Sequence, residues 1–141
     1  MMIRALVLFS LFAAHSGPAD ASVNLTPGLY EVQVEIALPN TYNVAPKIIV
    51  RHCVTAPDIA TGRAFFVLSD NPIRSCSLHD YDARRDEVRY RIACAGPNAA
   101  SASAAFELQQ THYHGTIHMQ MGGKNMTMFE TQHAVRVGEC E

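Results

Sequence analysis

The chain has 141 residues, of which 48% are hydrophobic and 17% charged, with 11 basic and 13 acidic residues and a formal net charge of −2. This length suits one domain, and the apolar content excludes an intrinsically disordered tail. It is too short for an α/β barrel or a two-domain dinucleotide enzyme. The slightly acidic balance argues against a dedicated nucleic-acid-binding protein, because such a protein needs a basic face to displace counterions from phosphates.

Residues 1–21 have the layout of a secretory signal peptide. Arg4 precedes an apolar run over residues 5–14, and a polar stretch with a Gly-Pro pair follows. Two small residues ending at Ala21 form the pattern that signal peptidase recognises, so we expect cleavage after Ala21. The alternative is a membrane anchor, but ten helical residues span only about 15 Å of a hydrocarbon core about 30 Å thick. We therefore expect an exported protein whose mature part, residues 22–141, is a single β domain without a transmembrane segment.

All four cysteines lie in the expected mature part of the chain. In an exported protein an even number of cysteines predicts disulfides, and four cysteines allow three pairings. A metal site is the alternative, but the chain has no Cys-x-x-Cys and its cysteine spacings match no zinc template. The sequence therefore favours two disulfides.

The first part of the mature chain predicts two strands and a short helix. Apolar residues alternate over residues 28–38, which is typical of a half-buried strand, and residues 47–54 form a second strand with two partly apolar faces. Thr55 and Asp58 have the spacing of a helix N-terminal capping box. Gly62 is a natural stop, so we expect a helix of one or two turns.

A predicted hairpin in the middle of the chain assigns the cysteine pairs. One strand runs from Cys76 to Asp82 and the other from Glu87 to Cys94. With the turn centred on Arg85, Cys76 lies opposite Cys94, so these two are expected to form a cross-strand disulfide. By elimination, the second disulfide joins Cys53 and Cys140.

The remaining strands complete an all-β chain. Residues 101–109 alternate again, and residues 112–121 and 125–137 form a last hairpin around the glycine turn at 122–124. The count is about seven strands with short connections. We expect an antiparallel meander that curls into a small barrel or a strongly curved half-barrel, with the one short helix after the second strand.

Four methionines of the last hairpin are predicted to share one strand face. The turn places Met119 opposite Met128 and Met121 opposite Met126. Thioethers suit Cu(I), but methionine also fills apolar core space or lines a cavity, and the alternation favours the latter. If the barrel encloses an apolar ligand, the lining residues are predicted to be Tyr30, Val32, Tyr90, Met119, Met121, Met126 and Met128.

The opposite face of this hairpin is rich in histidine. The same register places His114 across from His133, and His112 lies two residues along the strand. Three neighbouring imidazoles form a candidate metal site. Two features weigh against this site. Glu130 is the one carboxylate expected near the histidines to support them. A change in the parity of the apolar residues along the last strand also suggests a bulge, which would shift the register.

The sequence offers little for catalysis. Ser77, His79 and Asp80 lie on one strand, too close along it for a catalytic triad, and no Gly-x-Ser-x-Gly elbow is present. Asp80 shares the parity of Leu78, so it is predicted to point inward. With the thiols held in disulfides, we expect neither an enzyme nor a cofactor.

Several short motifs, in this order, resemble the bacterial domain of unknown function 3617 family over nearly the whole mature chain. They are Pro27-Gly28-Leu29-Tyr30, Cys53-Val54-Thr55, the Cys76 and Cys94 hairpin, Gly-Gly-Lys-Asn-Met-Thr-Met at 122–128, and Gly138-Glu139-Cys140. The resemblance implies a small periplasmic protein of Gram-negative bacteria without an established activity, and it assigns no functional residues.

Two hypotheses for function follow from the sequence. The first is a non-catalytic periplasmic binding module for a small apolar ligand or an envelope partner. The alternative is the handling of copper or zinc through the Met- and His-rich last hairpin.

Overall fold

The computed structural model describes residues 22–39, 47–97, 99–123 and 126–141, and in these residues seven strands form one antiparallel sheet. The strands are β1 (Gly28–Ala37), β2 (Ile48–Val54), β3 (Ser77–Ala83), β4 (Glu87–Ala93), β5 (Ser101–Gln109), β6 (His112–Met121) and β7 (Met126–Gly138).

The sheet is open. Its order is β2-β1-β7-β6-β5-β4-β3, so β2 and β3 are the two edges and do not pair with each other. The predicted all-β antiparallel meander is confirmed, and of the two forms predicted for it, a closed barrel and a half-barrel, the closed barrel is not formed. The predicted signal peptide lies outside the described residues.

Buried and exposed residues alternate along the strands, so the sheet has two different faces. In β5, residues 102, 104, 106 and 108 are buried and the residues between them are exposed. We call the buried side, which carries Tyr30 and Val32 of β1, the inner face, and the opposite side the outer face. Period-two burial of this kind is the structural counterpart of the alternation in the sequence.

The predicted helix is confirmed as α1 (Ala56–Thr61). The Thr55 hydroxyl accepts a hydrogen bond from the Asp58 backbone N–H at 3.2 Å, and the Asp58 carboxylate accepts one from the Thr55 N–H at 3.0 Å. These two bonds complete the capping box. The hydrogen bond from the Thr55 side chain lowers the pKa of Asp58. Gly62 ends the helix with a φ of 80°, in the left-handed region that glycine adopts without strain.

A segment of the chain covers the inner face. This crossing segment, residues 55–76, contains α1 and two 3-10 turns, Arg63–Phe65 and Pro72–Ser75. The Phe65 ring packs against two aromatic rings of the sheet, with centroids 5.5 Å from Phe106 and 5.4 Å from Tyr113. The core therefore lies between the sheet and the protein's own crossing segment, rather than inside a closed barrel.

Two buried polar residues of β7 hold this segment. The Glu130 carboxylate accepts hydrogen bonds from the backbone N–H of Leu68 at 2.8 Å and of Ser69 at 3.1 Å, and from the Ser69 hydroxyl. The Gln132 side-chain amide donates to the Phe66 carbonyl at 2.8 Å and to Glu130 at 2.6 Å. Both β7 side chains are fully buried.

These residues also explain the change in apolar parity along the last strand. The register between β6 and β7 is continuous from Met121 opposite Met126 to His112 opposite Val135. The suggested bulge between these strands is therefore wrong. Inward positions 130 and 132 of β7 are polar because they bind the crossing segment.

Both predicted disulfides are confirmed. Cys76 and Cys94 lie opposite each other with Cα atoms 4.7 Å apart, and Cys53 joins Cys140 with Cα atoms 5.5 Å apart. The first bond fixes the end of the crossing segment to the sheet, and the second ties edge strand β2 to the end of the chain. Two disulfides indicate an oxidising compartment. In the described part of the chain, no helix combines the length and the apolar character needed to cross a membrane.

The inward position predicted for Asp80 is wrong. The β3–β4 pairing has the predicted register at Leu78 opposite Ile92, but it shifts between His79 and Asp82. Asp80 has a φ of 51° at this bulge and is exposed. A bulge adds one residue to one strand, which here turns the carboxylate outward.

Replacing Gly115 on β6 with alanine is expected to destabilise the protein by about 1 to 3 kcal/mol, because a methyl group forced into a packed core strains it. A Cβ there would lie 2.3 Å from the Phe106 ring and 2.4 Å from the Ala105 carbonyl oxygen. Urea denaturation measures the change. Gly138→Ala is the matched control, since its Cβ would meet no atom within 4 Å. Equal stability of the two variants would contradict the packing described here.

The variant Glu130→Gln is expected to lose about 3 kcal/mol of stability, since the amide keeps one oxygen acceptor and turns N–H groups toward the donors of the crossing segment. Thermal and urea denaturation measure this loss. The control is Glu107→Gln, which makes the same chemical change at an exposed position. A loss no larger than that of the control would show that the buried carboxylate does not hold the segment.

Candidate functional site

The residues predicted to line an apolar cavity occupy the packed core. Tyr30, Val32, Tyr90 and Met119 are all buried. The Tyr30 hydroxyl donates to the carbonyl of Thr26 at 2.6 Å. The Tyr90 hydroxyl donates to a crossing-segment carbonyl, that of Phe65, also at 2.6 Å. An apolar ligand beside these residues would have to displace the crossing segment.

Two tyrosine hydroxyls, those of Tyr81 and Tyr90, act as neutral hydrogen-bond donors to the crossing segment. Burial raises the pKa of Tyr90 well above its ordinary value, and the nearby Glu130 charge raises it further. Burial alone raises the pKa of Tyr81 to about 12, and its hydroxyl donates to the Ile59 carbonyl of α1. Loss of a proton from a buried phenol would leave an unsolvated charge. These groups therefore tie the crossing segment to the sheet as neutral side chains.

The methionine pairs have the predicted register, with Met119 opposite Met128 and Met121 opposite Met126. Their environments differ. Met119 is fully buried, Met121 and Met128 are partly buried at the margin of the core, and Met126 is 43% exposed. The four side chains thus extend from the core to the surface at one end of the sheet.

The histidines of the last hairpin lie on the outer face. His114 is opposite His133, as predicted, and their rings stack with centroids 6.0 Å apart and planes 7° from parallel. His114 Nε2 lies 3.4 Å from a carboxylate oxygen of Glu107 on β5. His112, on the same face, is opposite Val135. Glu130, the carboxylate expected to support this cluster, lies on the inner face instead.

The histidine rings do not converge on one point. Stacked imidazoles present their faces to each other, whereas a metal binds in the ring plane at a nitrogen. Among the described residues, no group of three or more His, Cys, Asp or Glu side chains is placed to hold a metal ion. Binding a metal at His114 and His133 would require both side chains to rotate.

A shallow groove crosses the outer face over β4, β5 and β6. We call it the outer groove; its volume is 620 Å³. The short side chains of Ser103, Ala105 and Thr116 lie at its floor. A second concavity of 710 Å³ shares Ser103 and extends toward Ser101.

The two walls of the outer groove differ in chemistry. On one side the His118 ring stacks on Phe129, with centroids 4.5 Å apart and planes 12° from parallel. On the other side, Arg91 donates from Nε to the Asp80 carboxylate at 2.6 Å. An aromatic stack facing a paired guanidinium offers both apolar contact and hydrogen bonding to a molecule in the groove.

The outer groove was not predicted from the sequence. Its residues come from several strands and meet only in the folded sheet. One signal was available, because the outward residues of β5 at 101, 103 and 105 are all small. Small outward residues in the middle of a sheet leave a depression between the longer side chains of the neighbouring strands.

Fold and surface define the class as a small, disulfide-bonded all-β protein with an open antiparallel sheet. The chain belongs to the DUF3617 family: the family's sequence profile, described as a protein of unknown function, matches residues 25–140. No curated protein matches the chain. No solved structure matches it either.

Proposed function

We propose that the protein is a non-catalytic binding module of the periplasm that docks an envelope protein through the outer groove. One observation carries this proposal: the crossing segment occupies the inner face, whereas the outer face presents a groove with a floor of short side chains. The signal-peptide layout of residues 1–21 and the two disulfides support export.

The groove chemistry favours a polypeptide partner over a small apolar molecule. The floor and the His118–Phe129 stack accept an apolar or aromatic side chain. The Arg91–Asp80 pair on the opposite wall offers donors and acceptors to a peptide backbone. Binding sites of this kind combine an apolar contact with a few polar groups that fix orientation. An enclosed apolar ligand is less well supported, because the crossing segment fills the inner face.

The partner can be identified by photo-crosslinking in the bacterium that naturally produces the protein. A photoreactive amino acid at Ser103 is expected to form an adduct with a discrete envelope protein, and the additional variant Ala105→Arg is expected to abolish that adduct by filling the groove. The control places the same photoreactive residue at Glu31, which is exposed on the outer face of β1. Identical adducts from both positions, or adducts that persist in Ala105→Arg, would contradict the proposal.

A second candidate function is metal handling by the last hairpin. It is favoured by the direct pairing of His114 with His133 and by the Glu107 carboxylate beside them. Rotation of these exposed side chains would bring two imidazole nitrogens and a carboxylate toward one ion, a donor set suited to zinc or Cu(II). The partly exposed methionines at the other end of the hairpin would instead suit Cu(I).

Calorimetric titration with Zn(II) and Cu(II), and competition with a Cu(I) chelator, test this candidate. Metal handling requires binding tighter than micromolar. The double variant His114→Asn/His133→Asn would then weaken Zn(II) binding by about 100-fold or more, because removing outer-shell partners alone costs about 10- to 100-fold. His79→Asn on β3 is the matched control, since it removes an exposed imidazole elsewhere. Absence of binding by all three ions would end this hypothesis.

A further inference from the structure

The two edges of the sheet differ in their readiness to pair with another strand. At β3 the backbone bulges at Asp80, whose φ is 51°. The neighbouring Tyr81 hydroxyl donates to the Ile59 carbonyl, so α1 lies beside this strand. Bulges, charges and covering elements are the features by which natural edge strands avoid pairing with other chains. The β3 edge is therefore protected.

The β2 edge differs in that its strand, Ile48–Val54, has no bulge and carries Arg51 as its one side chain with a permanent charge. Its pairing with β1 is regular from Gly28 opposite Val54 to Val34 opposite Ile48, without a register shift. Ile48 is 44% exposed and Ile49 is 58% exposed. A regular edge strand with exposed β-branched residues is a template for strand addition.

We propose that β2 pairs in antiparallel fashion with β2 of a second copy of this chain, about a twofold axis at Val50. The axis is perpendicular to the sheet, so inner and outer faces of the two copies continue into each other. Each β2 residue then lies opposite a β2 residue of the partner whose side chain points to the same side of the sheet. The two open sheets become one sheet, and both β2 edges are covered.

The charges along β2 select this register. With the axis at Val50, each Ile49 faces the partner's Arg51, whose aliphatic stem packs against it. On the inner face Ile48 meets the partner's His52, and burial lowers the pKa of this histidine, which keeps it neutral. No two like charges are opposed.

Neighbouring registers are less favourable. Moving the axis to Ile49 places Lys47 opposite the partner's Arg51. Moving the axis to Arg51 places Arg51 opposite the partner's Arg51. Like charges directly opposite on adjacent strands destabilise the pair. The exposed isoleucines and the charge pattern are thus self-complementary about Val50, which favours a second copy over an unrelated extended chain.

Sedimentation of the folded mature protein over a range of concentrations tests the dimer. The wild type is expected to dimerise reversibly. Ile49→Lys is expected to weaken dimerisation at least about tenfold, because the new ammonium faces the partner's Arg51. Ile49→Glu, which loses the same apolar side chain but has the opposite charge, is expected to retain the dimer. The control Val135→Lys places a lysine at an exposed valine of β7, away from the edge, and is expected to leave dimerisation unchanged.

Hydrogen exchange of the wild type, compared between dilute and concentrated samples, identifies the surface. Protection is expected to rise with concentration at β2 amides and not at β3 amides. A wild type that stays monomeric at millimolar concentration overturns the proposal. So does a dimer that Ile49→Lys and Ile49→Glu affect equally, because the contact would then lie elsewhere or not depend on this register.

Discussion

The fold depends on how a buried carboxylate obtains its hydrogen bonds. Glu130 is fully buried in an apolar core, where an unpaired charge would cost several kcal/mol. It is satisfied by the backbone N–H groups of Leu68 and Ser69 and by the Gln132 amide. The crossing segment must therefore run past β7 at this point. Because it does, the inner face is filled from within the chain, and the outer face stays exposed.

The two ends of the crossing segment are fixed by independent means. A capping box at Thr55 and Asp58 begins it, and the disulfide from Cys76 to Cys94 ends it at the sheet. This disulfide closes a loop over residues 76–94, with a sequence separation of 18, and it stabilises the fold mainly by restricting the unfolded state. The carboxylate of Glu130 then needs to position only the middle of the segment. This division of roles explains how 22 residues with little regular structure can cover the inner face of the sheet.

Much of the fold could be predicted because its determinants are local. The alternation of apolar and polar residues predicted the strands, and the spacing of Thr55 and Asp58 predicted α1. The positions of the turns predicted the registers that pair Cys76 with Cys94 and His114 with His133. The role of Glu130 could not be predicted, since its partner Ser69 lies 61 residues away and a polar inward residue looks like a break in the pattern. The choice between a closed barrel and an open half-barrel was left undecided, and the outer groove was missed, for a related reason: both depend on which elements meet across the whole sheet.

The inner face is filled by a segment anchored on Glu130, and amide hydrogen exchange followed by NMR tests this arrangement most directly. In the native protein the amides of Leu68 and Ser69 should exchange as slowly as those in the middle of β6, through global unfolding alone, because both donate to a buried carboxylate. Exchange of these two amides at rates typical of surface loops, while β6 remains protected, would show that the segment opens on its own and would contradict the account.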